Sequence, residues 1–217
     1  LTGWHIIAVN DLCFDSSAPK LTMKNFFPLL AVPAMLILFS FIRPSLALVL
    51  ILIVANWNIY SAFGKYNWLS GMAHNFAGGS LHFLAGAVAA GCAGTGIINH
   101  ALFFGFAMLS GAIHHDACHF QEDSSKGYRT GAVVFGAGAW WRLGAIPMLA
   151  GALLLRPCPD MPFFVSFCIS SVLYFMLYSA VSAWKMKDGM LYFRILCRAV
   201  FAAGAATYIA ARLIGMG

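Results

Sequence analysis

Charge is what this sequence has least of. Only 9% of its 217 residues are Asp, Glu, Lys or Arg, where a soluble domain carries about a quarter. That scarcity excludes an ordinary water-soluble surface. It also leaves no room for a sizeable soluble domain beside the apolar part, so 1–217 is expected to be one helical membrane domain. No Cys-x-x-Cys pair occurs among the six cysteines, which argues against a zinc ribbon or a redox motif and for small buried side chains. No secretory signal peptide is visible. The chain opens on Leu1, and its first ten residues make only half a span, so a preceding helix is expected. Lys and Arg exceed Asp and Glu by 13 to 7, but in so apolar a chain the excess suggests cytoplasmic loops rather than nucleic acid.

What the chain has in quantity is long apolar runs, at 61% hydrophobic residues. About 20 apolar residues cross the roughly 30 Å hydrocarbon layer of a bilayer. Seven candidate spans follow the opening half-helix, at 25–42, 45–63, 71–93, 95–114, 137–155, 161–184 and 190–211. The expected fold is therefore all-α, a multi-span transmembrane helical bundle. Pro44, Gly94 and the turn at 156–160 make tight breaks on one side, and the longer charged links fall on the other. Lys20, Lys24, Lys65, Lys126, Arg129, Lys185 and Lys187 lie on the long-loop side, against Arg43, Arg156 and Arg212 on the short-turn side. That bias puts the long loops in the cytoplasm, at the plasma membrane if the source is bacterial. The span at 71–93 is rich in Gly, Ala and Ser, so it is expected at the centre of the bundle. His74, Asn75 and His82 on it are expected as hydrogen-bonded interior groups rather than ligands.

Five of the seven acidic residues fall in two short clusters, Asp11 with Asp15 and Asp116 with Glu122 and Asp123. A carboxylate at the centre of a span costs roughly 2.5–3.5 kcal/mol on insertion scales, so carboxylates gathered at span ends suggest a site. Asp11 and Asp15 are four residues apart and share a helix face. Asp116, His119 and Asp123 share a face if their stretch is one continuous helix. Carboxylates so placed suit Mg²⁺, a hard cation that prefers oxygen and often bridges protein carboxylates to substrate phosphates. Asp11, Asp15, Asp116, His119 and Asp123 are the candidate metal ligands. Lys126 and Arg129 suit phosphate oxygens, and Gly127 permits the turn that brings them back over the metal. Two acid pairs, each followed by basic residues, meet the needs of a diphosphate.

These residues resemble the UbiA-type intramembrane prenyltransferases. Asn10-Asp11 begins that family's first aspartate motif. The stretch from Asp123 through Ser124-Ser125-Lys126-Gly127-Tyr128-Arg129-Thr130 to Gly136 is similar to its second motif with the Gly-x-Arg-Thr tail. Tyr60-Ser61 with Lys65 resembles the end of the family's fourth helix, and Asn75-Phe76-Ala77-Gly78-Gly79 its glycine-rich fifth. The resemblance implies helices 2–9 of a nine-helix fold, with the first helix missing. It implies a Mg²⁺-dependent transferase that moves a prenyl group from a polyprenyl diphosphate to a small-molecule or lipid acceptor, an aromatic quinone precursor being one class. It also implies that Asp11, Asp15, Asp116 and Asp123 carry catalysis, and that Asn10, Lys65, Lys126 and Arg129 hold the diphosphate. The chain departs from the pattern where Phe14 stands in the second aspartate position of the first motif, Ala18 in the third, and His119 in the first position of the second motif. Two other readings stay open: a prenyl-lipid-binding relative without full activity, and a transition-metal membrane enzyme built on His114, His115 and His119.

Overall fold

The computed structural model describes residues 23–155, apart from Ala93 and Thr95. All regular structure among them is helical. The expected spans at 161–184 and 190–211, and the first acidic cluster with Asn10, Asp11 and Asp15, lie outside the described residues.

The first helix, α1, runs Met23–Ile42, and α2 follows at once as Pro44–Ile59. Pro44 takes the first turn of α2, where its missing N–H costs nothing and its fixed φ suits the helix. The last turn of that span widens into a π-helical segment, Tyr60–Gly64. Asn67 then caps α3, Trp68–Ala89, its Oδ1 accepting the Leu69 N–H at 3.0 Å. At the other end of α3, Gly91 adopts a φ of 71°, which glycine reaches without a Cβ penalty. The Cys92 N–H reaches the Ala87 carbonyl at 2.9 Å and the Gly91 N–H the Val88 carbonyl at 3.1 Å, a Schellman ending. Arg43 Nη1 donates to the Ala89 carbonyl at 2.5 Å, taking up another carbonyl left over at that helix end.

Helix α4, Gly96–Cys118, packs along α3. The two backbones come close because glycines face each other's helix. A Cβ on Gly79 would collide with the Phe104 carbonyl, and one on Gly105 with Ser80 Oγ and the Phe76 ring. The small-residue span is therefore a packing centre, as its composition predicts. His74 Nδ1 lies 2.8 Å from Asn56 Oδ1, and the Asn56 amide donates to the His74 carbonyl at 3.0 Å. Asn75 donates to the Gly71 carbonyl, and His82 Nδ1 bonds the Gly78 carbonyl. All three are hydrogen-bonded groups, as expected.

Three short helices follow: α5, Phe120–Ser125; α6, Gly131–Phe135; and α7, Ala137–Leu143. Then comes α8, Ala145–Leu155, packed on α4. The run at 137–155 is expected as one span, but the structure divides it at Gly144. Two causes act together. Pro147 has no N–H for the Leu143 carbonyl, so the ladder ends there. Ser110 Oγ also donates to the Gly144 carbonyl at 2.5 Å and holds it toward α4. Cys92 is exposed and Cys118 half-buried, so neither is the fully buried side chain expected.

Pro44–Gly64 and Gly96–Cys118 are long and apolar enough to cross a membrane, with mean hydropathies of 2.0 and 1.6. Only 28% and 33% of these windows is buried, so neither is a mostly buried core helix. On α1, Phe41 is 84% exposed and Ile37 62%.

Candidate functional site

The chain reverses twice at one end of the α3–α4 pair, and the two reversals clasp each other. The first carries Lys65, Tyr66 and Asn67. The second carries Lys126 to Thr130, turned by Gly127 at a φ of 70°. The Arg129 N–H donates to the Lys65 carbonyl at 2.7 Å. The Lys65 ammonium sits 4.8 Å from the centroid of the Tyr128 ring, and Tyr66 meets the same ring edge-on at 5.5 Å.

Asp123 lies beneath this clasp, on α5, and is 7% exposed. Thr130 Oγ1 donates to its Oδ2 at 3.3 Å, and the Tyr128 N–H to its backbone carbonyl at 3.0 Å. Burial pushes the Asp123 carboxyl above the usual carboxylate range, and the Lys65 charge and the Thr130 hydroxyl offset only part of that. Asp116 is on the last turn of α4. It interacts electrostatically with both Asp123 and Lys65. The structure thus brings Asp116, Asp123 and Lys65 into one electrostatic neighbourhood.

His119 sits differently. Helix α4 ends at Cys118, and His119, with φ −98° and ψ 12°, separates it from α5. Asp116, His119 and Asp123 are therefore not on one unbroken helix face. His119 Nδ1 lies 3.0 Å from Glu122 Oε2, and Lys126 Nζ lies 2.8 Å from Glu122 Oε1. Hydrogen bonds from Lys126 and then His119 hold the Glu122 carboxyl down at about 2. This is an exposed surface group, separate from the buried acid. Arg129 is exposed at the rim.

Asp116 opens onto a cavity of about 820 Å³ between α2, α3, α4 and α8. Tyr60, Asn75, His114 and His115 line it near Asp116; Trp57, His82, Phe83, Phe104, Met108 and Met148 line it further in. Phe104 and Asp116 are both on α4, twelve residues apart, so the cavity runs about 18 Å along the helix at 1.5 Å per residue. Its volume falls within the range of small-molecule sites, roughly 300–1,000 Å³. Trp57 and Tyr60 meet edge-to-face at 5.5 Å and form an aromatic corner on its wall. His114 is buried against Trp141, with ring centroids 4.3 Å apart, and His115 lies beside His119 at the same separation.

Charge at one end and an apolar chamber behind it suit an amphiphile with a polar head. Sequence reasoning missed Trp57 and Met148 in the wall and the Thr130 hydroxyl on Asp123. Each acts through a partner far away in the chain, and no local spacing signals it. Among the described residues no group of three or more His, Cys, Asp or Glu side chains gathers around a common point. No family model, no curated protein and no solved structure matches this chain.

Proposed function

We propose that this chain is a multi-pass membrane prenyltransferase of the UbiA type, with its long loops in the cytoplasm. One observation carries the reading: Asp116 lines the 820 Å³ largely apolar cavity and interacts electrostatically with Asp123 and Lys65. A prenyl diphosphate has the matching chemistry, a polyanionic head and a hydrocarbon tail.

The donor set fits Mg²⁺. Its members are hard carboxylate oxygens, and Mg²⁺ commonly takes one or two carboxylates and completes its shell with water and substrate phosphates. Asp116 and Asp123 would hold it, joined by Asp11 and Asp15. When bound, the metal supplies Lewis-acid neutralisation of the diphosphate.

The chain's own groups do the rest. Lys65 binds a diphosphate oxygen, and Lys126 and Arg129 close over the head from the rim. Negative charge grows on the departing diphosphate as its C–O bond breaks, so a cation already in place stabilises that state more than the ground state. The faces of Tyr60 and Trp57 border the allyl carbon and favour its developing positive charge. The apolar wall further in keeps water from that carbon.

Binding of a non-hydrolysable farnesyl or geranylgeranyl diphosphate analogue to the full-length protein in detergent tests the reading. Binding that requires Mg²⁺ and weakens at least tenfold in both Asp116→Asn and Asp123→Asn is the expected result. Metal-independent binding untouched by either substitution would overturn it.

A further inference from the structure

Trp140, on α7, is 2% exposed and closely held. It packs with Leu109, Ile113 and Ala132, Trp68 meets it edge-on at 6.0 Å, and Phe135 stacks on it at 5.6 Å. Gly131 leaves room for it, since a Cβ there would collide with the indole. Hydrocarbon packing explains the ring but not its polar edge. The Trp140 Nε1–H is buried and lacks a closed hydrogen bond to any acceptor. A buried donor without an acceptor costs about 1–3 kcal/mol, so such atoms call for an explanation.

Its position supplies one. Leu109, Ile113 and Asp116 follow each other at four and three residues along α4, so they share a face, and Trp140 packs on that face. Asp116 is the carboxyl with which the indole interacts, although the pair falls short of a closed hydrogen bond. Helix α7 therefore holds one N–H donor behind the carboxylate that opens onto the cavity.

We infer that Trp140 is a positioning residue for Asp116: its indole N–H takes one carboxylate oxygen and leaves the other turned toward the cavity for a cation. The inference rests on the preceding reading for the identity of that cation, but the contact itself does not. An outer-shell donor of this kind fixes the orientation of a ligand, and its loss typically costs 10–100-fold in metal affinity or activity.

The test has two arms, both on the full-length protein in detergent. In the first, tryptophan side chains are labelled with ¹⁵N at the indole, and the Trp140 signal is identified by its loss in Trp140→Phe. That signal is expected to move strongly in Asp116→Ala, less in Asp116→Asn, which keeps an oxygen acceptor, and little in Asp123→Asn. A Trp140 signal indifferent to both Asp116 variants overturns the inference. In the second arm, Trp140→Phe keeps the ring packing and removes the donor. The Mg²⁺ concentration for half-maximal binding of the farnesyl diphosphate analogue is expected to rise at least tenfold, with the melting temperature close to wild type. Unchanged Mg²⁺ dependence in a folded Trp140→Phe protein also overturns it. If no diphosphate binds even to the wild type, the prenyltransferase reading fails, and the first arm still decides whether Trp140 holds Asp116.

Discussion

Burying Asp123 works against stability, and the direction of its pKa says at which pH. Its folded carboxyl holds a proton to higher pH than the unfolded one, so between the two values the folded state binds more protons. Stability then falls as pH rises through that window and stays lowered above it. An amide in the same place keeps an acceptor for Thr130 and has no charge to bury. Asp123→Asn is therefore expected to melt higher than the wild type at pH 7.5, with the gap closing as pH falls toward the ordinary carboxylate range. Thermal unfolding in detergent across that range reads it. Added Mg²⁺ is expected to raise the wild-type melting temperature and leave the variant unmoved. A pH-independent gap would mean that Asp123 is not held above its ordinary range. A group that costs stability when empty and recovers it with a cation is what a binding site requires.

At the level of helices, the α3–α4 contact decides which glycines are structural. A Cβ on Gly79 would meet the Phe104 carbonyl and lie 2.6 Å from Met108 Cβ, atoms of backbone and helix stem that cannot swing aside. Gly79→Ala is therefore expected to cost about 1–3 kcal/mol, the usual range for overpacking. Gly111 sits one helix face away on α4, with nothing within 4 Å of its would-be Cβ. Gly111→Ala is expected to be neutral or to gain about 0.5–1 kcal/mol from helix propensity. Melting temperatures of the two variants should separate in that order, and equal values would contradict the close approach at Gly79. The small residues of α3 made this contact legible in the sequence, because close helix packing has a compositional cost. The breaks at His119 and Gly144 are less legible. Pro147 does announce the end of α7 at Leu143, four residues earlier, but Ser110 reaches Gly144 from another helix. The site divides the same way. Asp116 and Asp123 stand out because carboxylates are rare in so apolar a chain, and Lys65 through the resemblance. The aromatic corner and Trp140 became visible only when the helices were packed.

For the whole molecule, the division of the helical pair into two unlike ends matters most. One end holds the clasp of Lys65 and Tyr128, the buried Asp123 and the half-buried Asp116 that lines the cavity. The other holds Arg43 on the end of α3 and, just beyond, the exposed thiol of Cys92. Helix α3 is 22 residues long, about 33 Å at 1.5 Å per residue, which matches the hydrocarbon layer. If the helices cross a bilayer with the basic loops inside, Cys92 faces the outside and Ser125, beside the acid cluster, faces the cytoplasm. Two single-cysteine proteins separate these sides: one keeps Cys92 and replaces the other five cysteines, and the other removes all six and carries Ser125→Cys. In intact cells a membrane-impermeant maleimide is expected to label Cys92 and to reach the Ser125→Cys thiol only after permeabilisation. Both should stay in the membrane fraction through an alkaline carbonate wash. The reversed labelling pattern would turn the site outward, against the proposed cytoplasmic orientation. Labelling of both thiols in sealed cells would mean that α3 does not span the bilayer. Under the proposed function, the predicted pattern puts Asp116 and Asp123 on the side from which an ionised diphosphate would arrive in water, and the apolar cavity at the depth of the lipid tails, so head and tail would each meet the solvent they need.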